Sequence, residues 1–225
     1  MKKKILFLLI LFIPFMVSAY ELEIDWHRNI SIEGDLRITN DEEIIAFGNT
    51  SSSEIEGLKN KGKKDAYIIK YDKNGNIIWK NSFGGKDDDI FNDIYLTESG
   101  EIIAYGYTES LDIEGLTNAG NGDAIIVKYD KNGNIIWKNS FGGIDYDLFD
   151  DLVITKSGDI IIKGYIGLEE DEMSDGFLTV GDVIIIKYNK DGDLIWQKIY
   201  NQNVKYFACG NGEVMVCFVN IAEKR

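Results

Sequence analysis

Three near-copies of one segment, an Asn-Gly or Asp-Gly pair in each copy, and strands that are apolar at consecutive positions predict an all-β fold: propeller-like, built from four-stranded blades. The copies run from Asp65 to Gly85, from Asp123 to Gly143 and, more loosely, from Asp182 to Tyr200, about 58 residues apart. Self-similarity at such a period marks a repeat architecture, because one unit cannot bury its apolar face alone. Asn-Gly between apolar runs is a strong hairpin signal, since both turn residues must reach positive φ. It occurs at Asn74-Gly75 and Asn132-Gly133, with Asp191-Gly192 as the third instance. Runs such as Ile125-Ile126-Val127 and Ile184-Ile185-Ile186 suit sheets covered on both faces. A two-sheet sandwich is the alternative, but it would not need the same sheet three times over.

The first element is a leader. Met1 to Ala19 carries Lys2, Lys3 and Lys4, an apolar run from Ile5 to Val17, and then Val17-Ser18-Ala19, which reads as a secretory signal peptide cleaved after Ala19. As a membrane anchor the run is short for a bilayer that needs about 20 residues, and it contains Pro14. Cleavage removes three lysines and no acids, so a formal charge of −14 becomes −17. The mature chain is expected to be secreted, periplasmic or on the cell surface, without membrane insertion. Its acidity repels phosphate backbones, which argues against nucleic acid as a partner.

After the leader, Glu23 to Ile30 reads as an outermost strand, with Trp26 in the place of Trp79, Trp137 and Trp196. Blades are expected at about 35–83, 93–141 and 151–200, all within one domain of residues 20–225. The best copy divides into Phe91 to Thr97, Glu101 to Thr108, Asp123 to Tyr129 and Asn134 to Phe141. Residues 205–218 supply two further strands. Joined to residues 23–30 they make a composite fourth blade and close a small ring, which removes exposed edges. A truncated reading frame, or closure with another chain through the incomplete blade, is the alternative. The two cysteines, Cys209 and Cys217, fall on opposite faces of a hairpin turning at Asn211-Gly212, which predicts unpaired thiols. A different turn register would permit a disulfide.

The unit from Asp123 through Gly143, with Ser99-Gly100-Glu101-Ile102-Ile103-Ala104-Tyr105-Gly106, resembles the bacterial β-propeller repeat family called SBBP. That family has a D-A-x-x-x-K strand, a D/N-x-x-G turn, a Gly-Gly junction and a G-N-x-Y-V-x-G-like strand. The resemblance covers most of the mature chain. It implies an exported or surface-associated bacterial protein and brings no catalytic residues. Tyr200 to Lys205 departs from the pattern in lacking Gly-Gly, and no proline follows the leader.

Alternating strand directions put the minimal turns on one edge of the blades. The longer second-to-third-strand loops and the blade junctions lie on the other, the usual place for binding. The junctions share Gly84, Gly85, Asp87, Asp89, Phe91, Asp93 and Gly142, Gly143, Asp145, Asp147, Phe149, Asp151. Asp87, Asp89, Asp145 and Asp147 are candidate ligands for Ca²⁺, which takes six to eight oxygens. The competing and preferred reading gives these aspartates turn hydrogen bonds, and no cofactor is required. The loops share Ile55-Glu56-Gly57-Leu58 and Ile113-Glu114-Gly115-Leu116, with Asp175-Gly176-Phe177 as a weaker third copy. They are expected to tuck an apolar residue against the next blade, or to contact a partner. The candidate binding face is therefore Glu56, Leu58, Asp93, Glu114, Leu116 and Asp151.

The Asp72 to Asn76 turn is not a calcium loop of the EF-hand type, because Ile77 and Phe83 stand where glycine and glutamate are needed. The four tryptophans are expected to pack between blades. Enzyme readings find little. His27 is the only histidine, and no nucleophile motif accompanies it. A sialidase-like site has only Arg28, Arg37 and Arg225 to draw on. Paired carboxylates for glycoside hydrolysis remain an alternative. The reading is an exported, non-catalytic binding module for a protein or glycan ligand. A glycan-acting hydrolase and a structural fragment of a larger propeller are the alternatives.

Overall fold

The computed structural model describes residues 33–168 and 181–200, together with the backbone of 204–210 and 213–218. The leader, the strand Glu23 to Ile30 with Trp26 and His27, and the loop copy Asp175-Gly176-Phe177 lie outside the described residues. The first sheet contains β1 (Glu33–Ile38), β2 (Ile44–Thr50), β5 (Asp65–Tyr71) and β6 (Ile77–Phe83). A small hairpin of β3 (Glu54–Ile55) and β4 (Leu58–Lys59) interrupts its long loop. The second sheet holds β7 (Asp89–Leu96), β8 (Ile102–Thr108), β9 (Asp123–Tyr129) and β10 (Ile135–Phe141). The third holds β11 (Tyr146–Ile154), β12 (Ile160–Leu168), β13 (Asp182–Tyr188) and β14 (Leu194–Tyr200). Each of the three is a four-stranded antiparallel meander, and no described residue is helical. The fold is all-β and propeller-like.

The consecutive apolar runs have a direct cause. Every residue of β5 and of β9 is buried, because neighbouring side chains on a strand serve opposite faces. Ile125 and Val127 of β9 pack toward the first sheet, with Phe47, Ile68 and Phe91. Ala124 and Ile126 pack toward the third, with Phe149, Ile160 and Ile184. Each isoleucine fully buried this way stabilises the stack by about 1.5–3 kcal/mol.

Strands β5 and β9 each bury a lysine, and β13 half-buries one at the same register, at a cost that a partner offsets. Lys70 pairs with Glu43 at 2.6 Å, Lys128 with Glu101 at 3.2 Å and Lys187 with Asp159 at 2.7 Å. In every case the acid lies next to the start of the second strand of the same sheet.

Outer strands clasp the following sheet. The Trp79 indole N–H donates to the Lys131 carbonyl at 3.0 Å, and that of Trp137 to the Lys190 carbonyl at 3.3 Å. The rings lie against Gly133 and Gly192, where a Cβ would come within 2.8 Å and 2.7 Å of them. Amide donors two residues on complete the contact, Asn81 to the Gly133 carbonyl and Asn139 to the Gly192 carbonyl. Trp79 and Trp137 therefore join the blades, as their equivalent positions predict.

One expectation is adjusted. The first strands of the second and third sheets begin at Asp89 and Tyr146, ahead of the expected 93 and 151. The cause is a parallel bridge from the preceding sheet, Lys64 to Asp88 and Gly122 to Tyr146. It lets the Asp89 and Asp147 N–H groups donate to Lys64 and Gly122 carbonyls, each at 2.8 Å. After the third sheet, β15 (Val204–Gly210) and β16 (Glu213–Phe218) form a separate hairpin. Its register sets Cys209 opposite Val214 and Cys217 opposite Tyr206. Three positions along a ladder is about 10 Å, beyond disulfide reach.

Candidate functional site

The two blade junctions are built on buried carboxylates. Asp89 is 0% exposed and Asp147 is 2% exposed. Asp89 accepts from the Gly85 N–H at 2.8 Å, from the Ser110 hydroxyl at 2.8 Å and from the Thr108 hydroxyl. Asp147 accepts from the N–H groups of Gly143 at 2.6 Å and Gly167 at 3.0 Å. A second buried carboxylate stands beside each one. Asp65 accepts from the Lys61 N–H at 3.0 Å, and Asp123 from the Ala119 N–H at 3.2 Å.

Gly84 and Gly142 are wedged between these pairs. A Cβ on Gly84 would lie 2.7 Å from an Asp65 oxygen and 2.8 Å from one of Asp89; on Gly142 the distances to Asp123 and Asp147 are 2.5 and 2.6 Å. This explains the first glycine of the repeated pair. Burial pushes all four carboxyls above their usual range, and Asp65 and Asp147 add repulsion to their neighbours Asp89 and Asp123.

The calcium candidates separate into two kinds. Asp89 and Asp147 are interior acceptors already engaged by donors. Asp87 lies nearer the surface, paired with Lys63 at 3.1 Å, and Asp145 is half-buried. Among the described residues, no group of three or more His, Cys, Asp or Glu side chains is arranged to hold a metal ion. The turn hydrogen bonds of the preferred reading are present.

Of the proposed binding face, Asp93 and Asp151 are not on the loop edge. They lie within β7 and β11, opposite Tyr105 and Lys163, well past the starts of these strands at Asp89 and Tyr146. Asp93 instead joins sheets. Arg37 of β1 donates to it at 2.6 Å and to Asp35 at 2.7 Å. The Asn92 amide donates to the Phe149 carbonyl at 2.9 Å, so first strands meet side by side.

The loops do tuck apolar residues in, but not against the next blade as expected. Leu58 packs on Ile55, Tyr67 and Ile69, whereas Ile113 and Leu116 reach the core between the first and second sheets. Glu56 and Gly57 both take positive φ, 48° and 77°, in the tight β3–β4 turn. The Lys80 ammonium donates to the Glu56 carbonyl from the outer strand.

The loop edge contains a cleft of about 420 Å³ that brings the first junction to the second loop copy. Gly84, Gly85 and Lys86 form one wall; Asp112, Ile113 and Glu114 form the other. Lys61 and Lys138 also line it. The Lys86 N–H donates to Asp112 at 3.0 Å and the Asp87 N–H to Ser110 at 3.0 Å, fixing the walls to each other. Sequence reasoning named Glu114 but missed Asp112, Lys61 and Lys138, whose relation to the junction is set by packing. The opposite edge holds clefts of about 580 and 750 Å³, with Lys70 and Lys128 respectively among their lining residues. These lysines recur at one register and an acid immediately precedes each second strand, a signal present in the sequence that the motif reading passed over.

No protein-family model matches the chain. An uncharacterised WD repeat-containing protein of Acanthamoeba polyphaga mimivirus is 30% identical over 158 residues, taking in 64% of this chain and 11% of that protein. The chain is a propeller-like repeat protein similar to a WD-repeat protein. It spans about a tenth of that WD-repeat relative. A crystal structure described as that of the eukaryotic initiation factor aligns over 82% of this chain and 37% of its own, with a TM-score of 0.45 and 11% identity. The SBBP resemblance stands on its residues alone.

Proposed function

We propose that the chain is a non-catalytic interaction module that binds a polypeptide segment at the loop-edge cleft. The observation carrying this reading is the cleft itself. A rigid, hydrogen-bonded junction and a charged loop face each other across about 420 Å³, within the size range of ligand sites. Lysines and acids both line it, which suits a peptide with charged side chains of either sign. Similarity to a WD-repeat protein supports an interaction role. The lysine-rich start followed by an apolar run supports export, with cleavage after Ala19, and the SBBP resemblance supports a bacterial surface setting.

The test is selection of binders from a displayed peptide library, followed by titration against Glu114→Lys and Lys138→Glu. Affinity lost in both variants at unchanged melting temperature supports the site. Binders indifferent to both place recognition elsewhere and sink it. Intact mass of the exported product reads the cleavage position, and turnover of chromogenic glycosides would favour the hydrolase alternative.

A further inference from the structure

The edge opposite the long loops repeats one kind of cleft. It measures about 580 Å³ between the first and second sheets and about 750 Å³ between the second and third, within the size range of ligand sites. Each sets an outer-strand isoleucine and a buried lysine of one sheet against a turn and an exposed lysine of the next. In the first cleft Ile78 and Lys70 face Thr97, Ser99 and Lys131. In the second Ile136 and Lys128 face Thr155, Gly158 and Lys190. Thr97, Glu98 and Ser99 border both, so the clefts are neighbours.

Each cleft contains an ion pair with hydrogen-bonding capacity to spare. Lys70 and Lys128 are nine-tenths buried, and an ammonium carries three N–H donors. Lys70 donates to Glu43 at 2.6 Å; Lys128 donates to Glu101 at 3.2 Å and to the Lys190 carbonyl at 3.4 Å. The Ser99 hydroxyl donates to the same Glu101 oxygen, Oε2, as the Lys128 ammonium does. The Oε1 atoms of Glu43 and Glu101 have no partner among the described residues. A donor cation and an acceptor anion thus stand side by side without net charge. Beside them Ile78 and Ile136, at the same place in β6 and β10, are 46% and 48% exposed. Core packing does not account for these apolar walls.

We propose that the two clefts each bind a segment of a neutral oligosaccharide. A hydroxyl both donates and accepts, so a vicinal pair of sugar hydroxyls completes the ammonium and the carboxylate together. The C–H face of the same sugar covers the isoleucine. A charged ligand would satisfy one member of the pair and be repelled by the other. The formal charge of −14 also opposes acidic glycans. This inference is separate from the peptide-binding reading, which concerns the other edge.

The test titrates the ¹⁵N-labelled full chain with neutral hexasaccharides of glucose, mannose and xylose, and with oligogalacturonate, following amide shifts. Expected are saturable shifts at Asn40 in the first cleft and Gly158 in the second, at millimolar concentration of a neutral hexasaccharide. Gly84 and Gly85 on the other edge should stay unmoved. Ile78→Trp fills the first cleft and should abolish the Asn40 shift alone. Lys128→Met with Glu101→Leu replaces the second pair by apolar side chains, an exchange that buried ion pairs tolerate, and should abolish the Gly158 shift alone. The proposal is overturned if no neutral hexasaccharide moves either amide, if oligogalacturonate moves them more strongly, or if the shifts survive both substitutions. The first two outcomes are read on the unsubstituted protein, and Ile78 is exposed, so a double variant that fails to fold leaves the test intact.

Discussion

The junction between the first and second sheets and that between the second and third have the same frame and different surfaces. Both hold a buried aspartate pair around a glycine, and both use one parallel bridge to start the next strand. The first carries Lys61, Lys63, Lys86 and Asp88 where the second has Ala119, Asn121, Ile144 and Tyr146. The second glycines differ too. A Cβ on Gly85 would come within 2.2 Å of Asp112, whereas one on Gly143 would meet nothing within 4 Å. What recurs is whatever leaves a buried polar group unsatisfied if lost. What varies is exposed, and there recognition can diverge at little cost in stability.

Removing the frame should break both junctions alike. Asp89→Ala and Asp147→Ala strand buried N–H donors and are expected to cost about 3 kcal/mol each in urea unfolding. Asp87→Ala, which loses only an exposed pairing with Lys63, should cost about 0.5 kcal/mol or less. Equal losses at Asp87 and Asp89 would erase the distinction between frame and surface.

The glycines sharpen the contrast. Gly85→Ala crowds Asp112 and should destabilise by about 1–3 kcal/mol. Gly143→Ala enters open space and should be neutral or stabilising by up to about 1 kcal/mol through the unfolded state. A substantial loss at both positions would mean that the junctions are constrained equally.

pH gives a further separation. Burial raises Asp65, Asp89, Asp123 and Asp147, so folding favours their protonated forms. A raised carboxyl contributes stability that is fully present below its unfolded pKa, near 4, and lost as pH rises through the folded value. The melting temperature should therefore climb as pH falls from neutral toward about 5. Lys61 partly offsets the rise at Asp65, while Ala119 stands in its place beside Asp123. Asp123→Asn should accordingly flatten the pH profile more than Asp65→Asn; the reverse order would refute the role given to Lys61.

The smallest effect expected is that of calcium. Passing from EDTA to millimolar calcium should leave the melting temperature unchanged, because Asp89 and Asp147 already accept from N–H and O–H groups. A rise abolished by Asp145→Asn would restore the cation reading for the second junction.

Much of the frame was legible because it rests on periodicity. Consecutive apolar residues in β5 and β9, and Asn-Gly or Asp-Gly at the same place in each copy, state locally that each sheet is covered on both faces and turns tightly. The Gly-Gly-Asp pattern likewise announced that something recurs at the junctions. It did not say whether Asp89 faces solvent or interior, since alternation along a strand is set only once the strand's start is known. The strand starts at Asp89, two residues before Phe91, and Asp93 sits inside β7 rather than on the loop edge.

By itself the sequence determined the repeat, the strand-turn grammar and the positions at which tryptophans join blades, because each depends on neighbours within one unit. Only the tertiary structure decided which carboxylates are buried, that Arg37 spans to Asp93, and that Glu114 faces the Gly84 junction across a cleft. Those contacts join residues tens of positions apart, and no local pattern encodes the distance between two sheets once they are packed.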